Sequence, residues 1–121
     1  MNASAGRVFL SCLFTMACSF VVSGCDSTPP PTPIANLNAQ QMRGYQMFQT
    51  HCAECHHDRT DEALHGPALR GVMKKQYLPS GAPANDDRVN ATILNGRGLM
   101  PPQRFLDEQD RADLIAYLHT L

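Results

Sequence analysis

From residue 38 to the C-terminus, apolar residues recur at helical spacing in three segments. In the first segment Met42, Tyr45 and Phe48 follow at three-residue intervals, which places them on one face of a helix. Asn38 precedes them and suits an N-cap, because its side chain accepts hydrogen bonds from the free amides of a first turn. This pattern predicts a helix that begins directly after Asn38.

The second segment predicts a helix in which Val89 and Ile93 face the interior, with Leu94 as a third candidate. Asp86 or Asp87 is expected to cap its start, since aspartate is a favoured N-cap residue. Gly96 is expected to end it, because glycine adopts the left-handed backbone that closes many helices.

The third segment has the clearest helical pattern. Asp107 is its expected cap, and Glu108 and Asp110 place negative charge at the positive end of the helix dipole. Its apolar face is formed by Ala112, Leu114, Ile115, Leu118 and Leu121. No stretch alternates as strands do, and loops rich in glycine and proline separate the helices. An all-α domain this small, with such long loops, gains from a non-protein group at its centre.

A different apolar pattern occupies the N-terminus, where Arg7 precedes the predominantly apolar residues 8–22. This run is shorter than the roughly 20 residues of a membrane-spanning helix, and a basic start with small residues behind it is typical of an export signal. Residues 22–25, Val-Ser-Gly-Cys, resemble the lipobox of bacterial lipoproteins. The resemblance implies that residues 1–24 are removed and that Cys25 carries lipid. Ordinary cleavage without lipid, or a short permanent anchor helix, stays open.

Residues 25–37 are predicted to tether the domain to a membrane. They contain the stretch STPPPTP, which favours extended polyproline II of about 3.1 Å per residue. In some Gram-negative lipoproteins an aspartate at the position of Asp26 favours the inner membrane. The expected location is therefore the periplasmic side of a bacterial membrane, with the folded domain in residues 38–121. A tail without a spacing role is the alternative.

The charge of the chain gives no sign of nucleic-acid binding. Ten lysines and arginines stand against eleven aspartates and glutamates, for a net charge of −1, and no basic run occurs. A nucleic-acid-binding domain normally carries a clustered positive excess.

Residues 51–57, HCAECHH, concentrate the chemistry of the chain. Within them Cys52, Cys55 and His56 form the C-x-x-C-H pattern of c-type haem attachment. Two thiols on one helical turn can each add to a vinyl group of one porphyrin, and the next residue supplies an iron ligand. A structural zinc site would need a second ligand pair, and a thioredoxin-like motif a preceding strand; neither is visible.

The chain from residue 38 to 121 resembles class I c-type cytochromes. Beyond the attachment motif, the matching positions follow in the family's order: Gly44, Phe48, the segment Gly-Pro-Ala-Leu at 66–69, the segment Asn-Gly-Arg-Gly-Leu-Met-Pro at 95–101, Leu114 and Tyr117. The resemblance implies a small cytochrome c fold, with three to five helices wrapped around one covalently bound haem c.

The same resemblance implies the iron ligands. His56 and Met100 are expected to be axial, and Cys52 and Cys55 to bind the haem covalently. The carbonyl of Pro67 is expected to accept a hydrogen bond from Nδ1 of His56, which orients the ring. Met73 as sulfur ligand, and His65 as a second histidine ligand, are the weaker alternatives. Arg70, Arg97 and Tyr77 are candidate partners of the haem propionates.

The predicted function is one-electron transfer between periplasmic or membrane redox proteins, without enzymatic activity. A methionine in the sixth position favours electron transfer, whereas an open position permits peroxide or oxygen chemistry. Three alternatives remain: a peroxidase-like enzyme with a displaceable Met100, a ligand sensor, and a cytochrome subunit of a larger oxidoreductase.

Overall fold

The computed structural model describes residues 28–121, so the predicted leader, Cys25 and Asp26 lie outside the described residues. The described part is helical, and its only β pairing consists of the isolated bridges Tyr77–Pro83 and Arg97–Met100. Its elements in order are a 3₁₀ turn Ile34–Asn36, α1 Ala39–His51, a 3₁₀ turn Val72–Lys74, α2 Asp86–Asn95 and α3 Glu108–Leu118. The prediction of an all-α fold with three to five helices is confirmed.

Two helices begin with reciprocal capping pairs. Asn38 Oδ1 accepts from the Gln41 amide at 2.9 Å, and Gln41 Oε1 accepts from the Asn38 amide at 3.0 Å. Asp107 and Asp110 form the same pair at the start of α3, at 2.8 and 3.3 Å. Each pair satisfies two amides that a helix leaves free at its start. The caps predicted for these two helices are thus confirmed.

The predicted cap of α2 was wrong by one residue. Asn85 Oδ1 accepts from the amide of Arg88 at 3.0 Å, so Asn85 is the cap. Asp86 and Asp87 lie instead in the first turn, where their charge favours the helix dipole. The helix ends at Gly96 as predicted, with φ 70° there.

The core forms where α1 crosses α3, and Gly44 allows the crossing. A Cβ on Gly44 would overlap the carbonyl oxygen of Asp113 and lie 2.8 Å from Cβ of Tyr117. Tyr117 is fully buried there, with its ring 5.4 Å from that of Tyr45 and 5.9 Å from that of Phe48. Of the apolar face predicted for α3, four residues are buried, whereas Ala112 is exposed.

An ion pair also joins α1 to α3. Arg43 donates from Nε to Asp113 Oδ2 at 2.6 Å and from Nη2 to Oδ1 at 3.1 Å, and Gln109 Nε2 donates to Oδ1 at 2.8 Å. Asp113 is buried. The hydrogen bond from Arg43 lowers the pKa of Asp113, against the opposing effect of burial. The carboxylate therefore stays charged inside the helix crossing.

The described part of the predicted tether, residues 28–37, lies against the domain. The Thr32 amide donates to the carbonyl oxygen of Thr120 at 2.7 Å. Arg59 Nη2 donates to the carbonyl oxygen of Thr32 at 2.6 Å. Leu37 packs on the core just before α1. Within residues 28–121 no helix is long and apolar enough to cross a membrane.

Candidate functional site

The C-x-x-C-H residues form a tight turn at the end of α1. The Cys52 amide donates to Phe48 O at 2.8 Å and closes the helix. The amides of Cys55 and His56 both donate to the carbonyl oxygen of Cys52, at 3.0 and 2.9 Å. Local backbone hydrogen bonds therefore set the spacing of the two thiols and the imidazole.

The two cysteines of the motif are free thiols. Cys52 is half-buried and packs against the core. Burial, with a smaller contribution from the neighbouring Cys55, raises the pKa of Cys52 to about 11. Cysteines of redox and metal sites have lowered pKa values instead, because the thiolate is the reactive form. The raised pKa of Cys52 therefore argues against the thiol–disulfide alternative.

The His56 ring is fixed by the loop at residues 66–69. Its Nδ1 lies 2.8 Å from the carbonyl oxygen of Pro67. A carbonyl oxygen only accepts, so Nδ1 carries the proton and the lone pair is on Nε2. A Cβ on Gly66 would lie 2.7 Å from Nδ1 and 2.9 Å from Nε2, so the glycine lets the backbone pass against the ring.

The loop itself is hydrogen-bonded to the attachment turn. The Gly66 amide donates to Cys55 O at 2.7 Å, and the Leu69 amide donates to His57 O at 2.8 Å. Two backbone segments thus fix the orientation of His56: the attachment turn carries the residue, and the loop at 66–69 accepts a hydrogen bond from its ring.

Met100 lies on a compact loop after α2. The Arg97 amide donates to Met100 O at 3.0 Å and the Met100 amide to Arg97 O at 2.9 Å. Gly96 and Gly98 have φ of 70° and 56°, a conformation that glycine adopts without strain. A Cβ on Gly96 would lie 2.7 Å from the Pro102 nitrogen, so this loop is closely packed at its base.

The side chain of Met100 is half-buried against the core, whereas its neighbour Leu99 is 97% exposed. Half-buried apolar side chains from several segments pack on the same core, and they include Cys52, Leu69, Met73, Leu78 and Met100. Met73 therefore shares the apolar setting of Met100. His65, the other alternative ligand, is exposed.

Two arginine nitrogens are buried without a partner among residues 28–121, Arg70 Nε and Arg59 Nη1. The rest of the Arg70 guanidinium is engaged: Nη1 donates to Asp61 Oδ2 at 2.6 Å and Nη2 to Thr28 O at 3.1 Å. A buried, unsatisfied donor is costly, and a carboxylate is the partner that a guanidinium binds best. The two haem propionates are such groups. Arg97 and Tyr77, the other candidates, are exposed.

The sequence interpretation missed a polar network next to the attachment turn. The Tyr117 hydroxyl donates to Asp58 Oδ2 at 2.5 Å, and Arg59 donates to the Pro-rich segment. Burial, and then the hydrogen bond to Asp58, raises the pKa of Tyr117. The only signal in the sequence is that Asp58 and Arg59 directly follow the stretch HCAECHH at residues 51–57.

These features together fit haem c. The site offers two free thiols, a histidine with Nε2 free, a half-buried thioether and two buried arginine donors without a partner. In residues 28–121 no group of three histidine, cysteine or acidic side chains is placed to hold a metal ion. The described part therefore does not assemble the four protein ligands that the zinc alternative requires.

Comparison with known proteins decides the family. A family model described as Cytochrome c matches residues 28–121. The chain belongs to the cytochrome c family. This cytochrome c is thus a non-enzymatic electron-transfer protein with a covalently bound haem c that contains iron. When bound, the haem supplies the iron that takes up and releases one electron.

Its relatives include cytochromes of similar length. A cytochrome c-553-like protein of Synechocystis sp. is 29% identical over 117 residues, covering 97% of this chain and 99% of the relative. Cytochrome c2 of Rhodopila globiformis is 30% identical over 115 residues, covering 78% and 98%. A cytochrome c6-like protein of Nostoc sp. is 31% identical over 88 residues, covering 72% and 75%.

Proposed function

We propose that this cytochrome c carries single electrons between redox proteins at the periplasmic face of a bacterial membrane. His56 and Met100 would hold the haem iron, Cys52 and Cys55 would hold the porphyrin, and lipid on Cys25 would anchor the chain. Donor and acceptor are redox proteins of the periplasm or the membrane.

The observation that carries the ligand assignment is the 2.8 Å contact between His56 Nδ1 and the carbonyl oxygen of Pro67. It leaves Nε2 as the free ligand atom and raises its basicity, because the donated hydrogen bond gives the ring partial anionic character. Gly66 supports the same orientation by its close approach to the ring. The protein therefore presents one preorganised nitrogen to the metal.

The loop of Met100 supports electron transfer over the enzyme and sensor alternatives. Reciprocal backbone hydrogen bonds with Arg97 and the close packing at Gly96 hold the loop in one conformation. A fixed thioether in the sixth position keeps peroxide, oxygen and other ligands away and favours the ferrous state. A displaceable ligand would instead need a loop that moves easily.

Optical spectroscopy of the haem-loaded protein tests this function. We expect low-spin spectra in both oxidation states, a methionine–iron charge-transfer band in the ferric state, and no binding of carbon monoxide to the ferrous state. A high-spin ferric spectrum or rapid carbon monoxide binding would contradict electron transfer and favour the peroxidase-like or sensor alternative. Purification of the native protein in a stable complex would indicate an oxidoreductase subunit.

The membrane anchor rests on the lipobox at residues 22–25. Two or more acyl chains anchor a protein stably, whereas one chain is marginal. In cells fed a labelled fatty acid, the wild-type protein should take up label and Cys25→Ala should not. Cys18→Ala, a substitution upstream of the lipobox, is the control and should be labelled normally. Equal labelling of Cys25→Ala would remove the anchor from the proposal. Separation of inner and outer membranes then tests the effect of Asp26.

A further inference from the structure

Residues 28–33 are rich in proline, and we call them the strap. Near its C-terminal end the strap is hydrogen-bonded to the domain. The Thr32 amide donates to Thr120 O at 2.7 Å, and Thr120 is only 6% exposed. The Thr32 carbonyl oxygen accepts from Arg59 Nη2 at 2.6 Å, and Arg59 also reaches Pro31 O at 3.4 Å. A single residue of the strap thus uses both of its backbone groups to bind the domain.

The other end of the strap is held at Gly71. Arg70 Nη2 donates to Thr28 O at 3.1 Å. A Cβ on Gly71 would overlap the Thr28 methyl group, so that methyl group lies directly on the glycine backbone. The chain therefore leaves the described domain at a defined place, beside Gly71.

The place where the strap begins is next to a basic edge. Lys74 follows Gly71 by one 3₁₀ turn, and its amide donates to Gly71 O at 2.9 Å. Lys74 and Lys75 are both exposed and are the only two lysines of the whole chain. We refer to Gly71, Lys74 and Lys75 as the lysine edge.

The lipid-bearing residue of the proposed anchor lies close to this edge by covalent geometry alone. Cys25 precedes Thr28 by three residues, and an extended chain spans at most about 3.6 Å per residue. The bilayer surface is therefore within roughly 10 Å of Thr28. Anionic headgroups attract nearby lysines over a Debye length of about 8 Å at physiological ionic strength.

We propose that the strap fixes the orientation of the domain on its membrane, with the lysine edge resting on anionic phospholipid headgroups. This inference rests on the proposed anchor at Cys25. A free tether would let the domain rotate and present any face to the bilayer. A strap fastened at Thr28 and Thr32 instead keeps one face toward the membrane and leaves the opposite face to redox partners.

Amine footprinting tests this orientation, because only two side chains of the protein carry amines. The lipidated holoprotein is bound to vesicles of phosphatidylcholine and phosphatidylglycerol in a three-to-one ratio and treated with a water-soluble amine reagent. Mass spectrometry then gives the labelling rate of Lys74 and Lys75. We expect labelling several-fold slower than in the Cys25→Ala holoprotein mixed with the same vesicles. The difference should shrink with phosphatidylcholine alone, which has no net charge.

Two variants test the strap itself. Thr32→Pro removes the amide that binds Thr120 and keeps the extended conformation, since Pro31 and Pro33 flank it. Thr28→Gly removes the methyl group that lies on Gly71, at the other attachment. The double variant that combines the two substitutions should label Lys74 and Lys75 at nearly the rate of the water-soluble protein while keeping the haem spectrum of the wild type. Pro30→Ala, at an exposed strap position, is the matched control and should behave as the wild type.

Two failures are distinguishable. If the wild-type protein does not sediment with vesicles, the anchor fails and the orientation with it. If it sediments but its lysines react as fast as in the Cys25→Ala protein, the anchor stands and the orientation is overturned. Slow labelling that persists in the double variant of Thr28→Gly and Thr32→Pro would overturn the role of the strap.

Discussion

Gly44 on α1 lies so close to Asp113 on α3 that a Cβ on the glycine would overlap the carbonyl oxygen of the aspartate. Backbone meets backbone at this point, and the side chains of both helices pack around it. The crossing places the end of α1, and with it the attachment turn, on a fixed support. The position of the haem site therefore depends on a residue that has no side chain.

Gly44→Ala should destabilise the protein. The added methyl group must push against the Asp113 carbonyl and the Tyr117 side chain, and such overpacking costs about 1–3 kcal/mol. Alanine recovers about 1 kcal/mol of helix propensity, so the net loss is smaller than the steric cost. Guanidinium unfolding of the haem-loaded protein measures it. Gln49→Ala, exposed on the same helix, is the control; equal midpoints for both variants would contradict a tight crossing.

Asp113→Asn should lower the free energy of unfolding at neutral pH and make that free energy depend less on pH in acid. Arg43 holds the pKa of Asp113 below its ordinary value of about 3.9. The group therefore contributes stability that is present above about pH 4 and is lost as the pH falls through the lower folded value. Unfolding free energies measured from pH 7 downward should decline less steeply in the variant. Glu54→Gln, at an exposed position, should leave the decline unchanged.

Tyr117→Phe should make the stability of the protein less sensitive to high pH. Burial and the bond to Asp58 raise the pKa of Tyr117, so the folded state keeps a proton that the unfolded chain releases near pH 10. Its stabilising effect is complete below about pH 10 and is lost as the pH rises above it.

The variant should unfold more easily at pH 7, by about 1–3 kcal/mol, because Asp58 loses a donor. Its free energy of unfolding should then fall less between pH 9 and 11 than that of the wild type. Tyr45→Phe, whose ring packs on Tyr117, controls for the loss of a hydroxyl group. An alkaline slope equal to that of the wild type would show that Tyr117 does not carry this dependence.

The parts of the fold that the sequence predicted are those set by local interactions. Asn38 and Asp107 are recognisable as caps because capping joins residues three positions apart. The attachment turn is equally local. The cap of α2 was misplaced because Asn85 and its two following aspartates are all favoured caps, and only backbone geometry selects among them.

Long-range contacts left no such signal. The bond between Thr32 and Thr120 joins backbone groups, which every residue possesses. The pair Tyr117–Asp58 joins positions 59 apart and needs the α1–α3 crossing to exist first. For this reason the sequence predicted a tether and not a segment bound to the domain. The composition of the strap indicates an extended conformation but not the surface on which it lies.

Gly66→Ala should disturb the orientation of His56 and weaken its bond to the haem iron. The methyl group would press on the imidazole and displace Nδ1 from the Pro67 carbonyl oxygen. Loss of such a supporting hydrogen bond weakens a metal ligand about 10–100-fold. Acid should then detach the histidine at a higher pH than in the wild type. Loss of the low-spin spectrum during acid titration gives this pH.

Gly81→Ala is the matched control, because a Cβ there meets nothing within 4 Å. It should titrate as the wild type does. If Gly66→Ala also kept the wild-type titration, the glycine would not be needed to orient His56.

Met100→Ala should separate the two candidate sulfur ligands. Met73 and Met100 both pack half-buried on the core, but only Met100 lies in a loop fixed by reciprocal backbone bonds. Removal of its thioether should abolish the methionine–iron charge-transfer band, produce a high-spin ferric spectrum and lower the reduction potential, because the thioether favours ferrous iron. Met73→Ala should keep the band and lose stability, at about 2–5 kcal/mol for a buried methionine and less for one that is half-buried. If the band instead survives in Met100→Ala and disappears in Met73→Ala, Met73 is the ligand, and the 96–102 loop serves the structure rather than the iron.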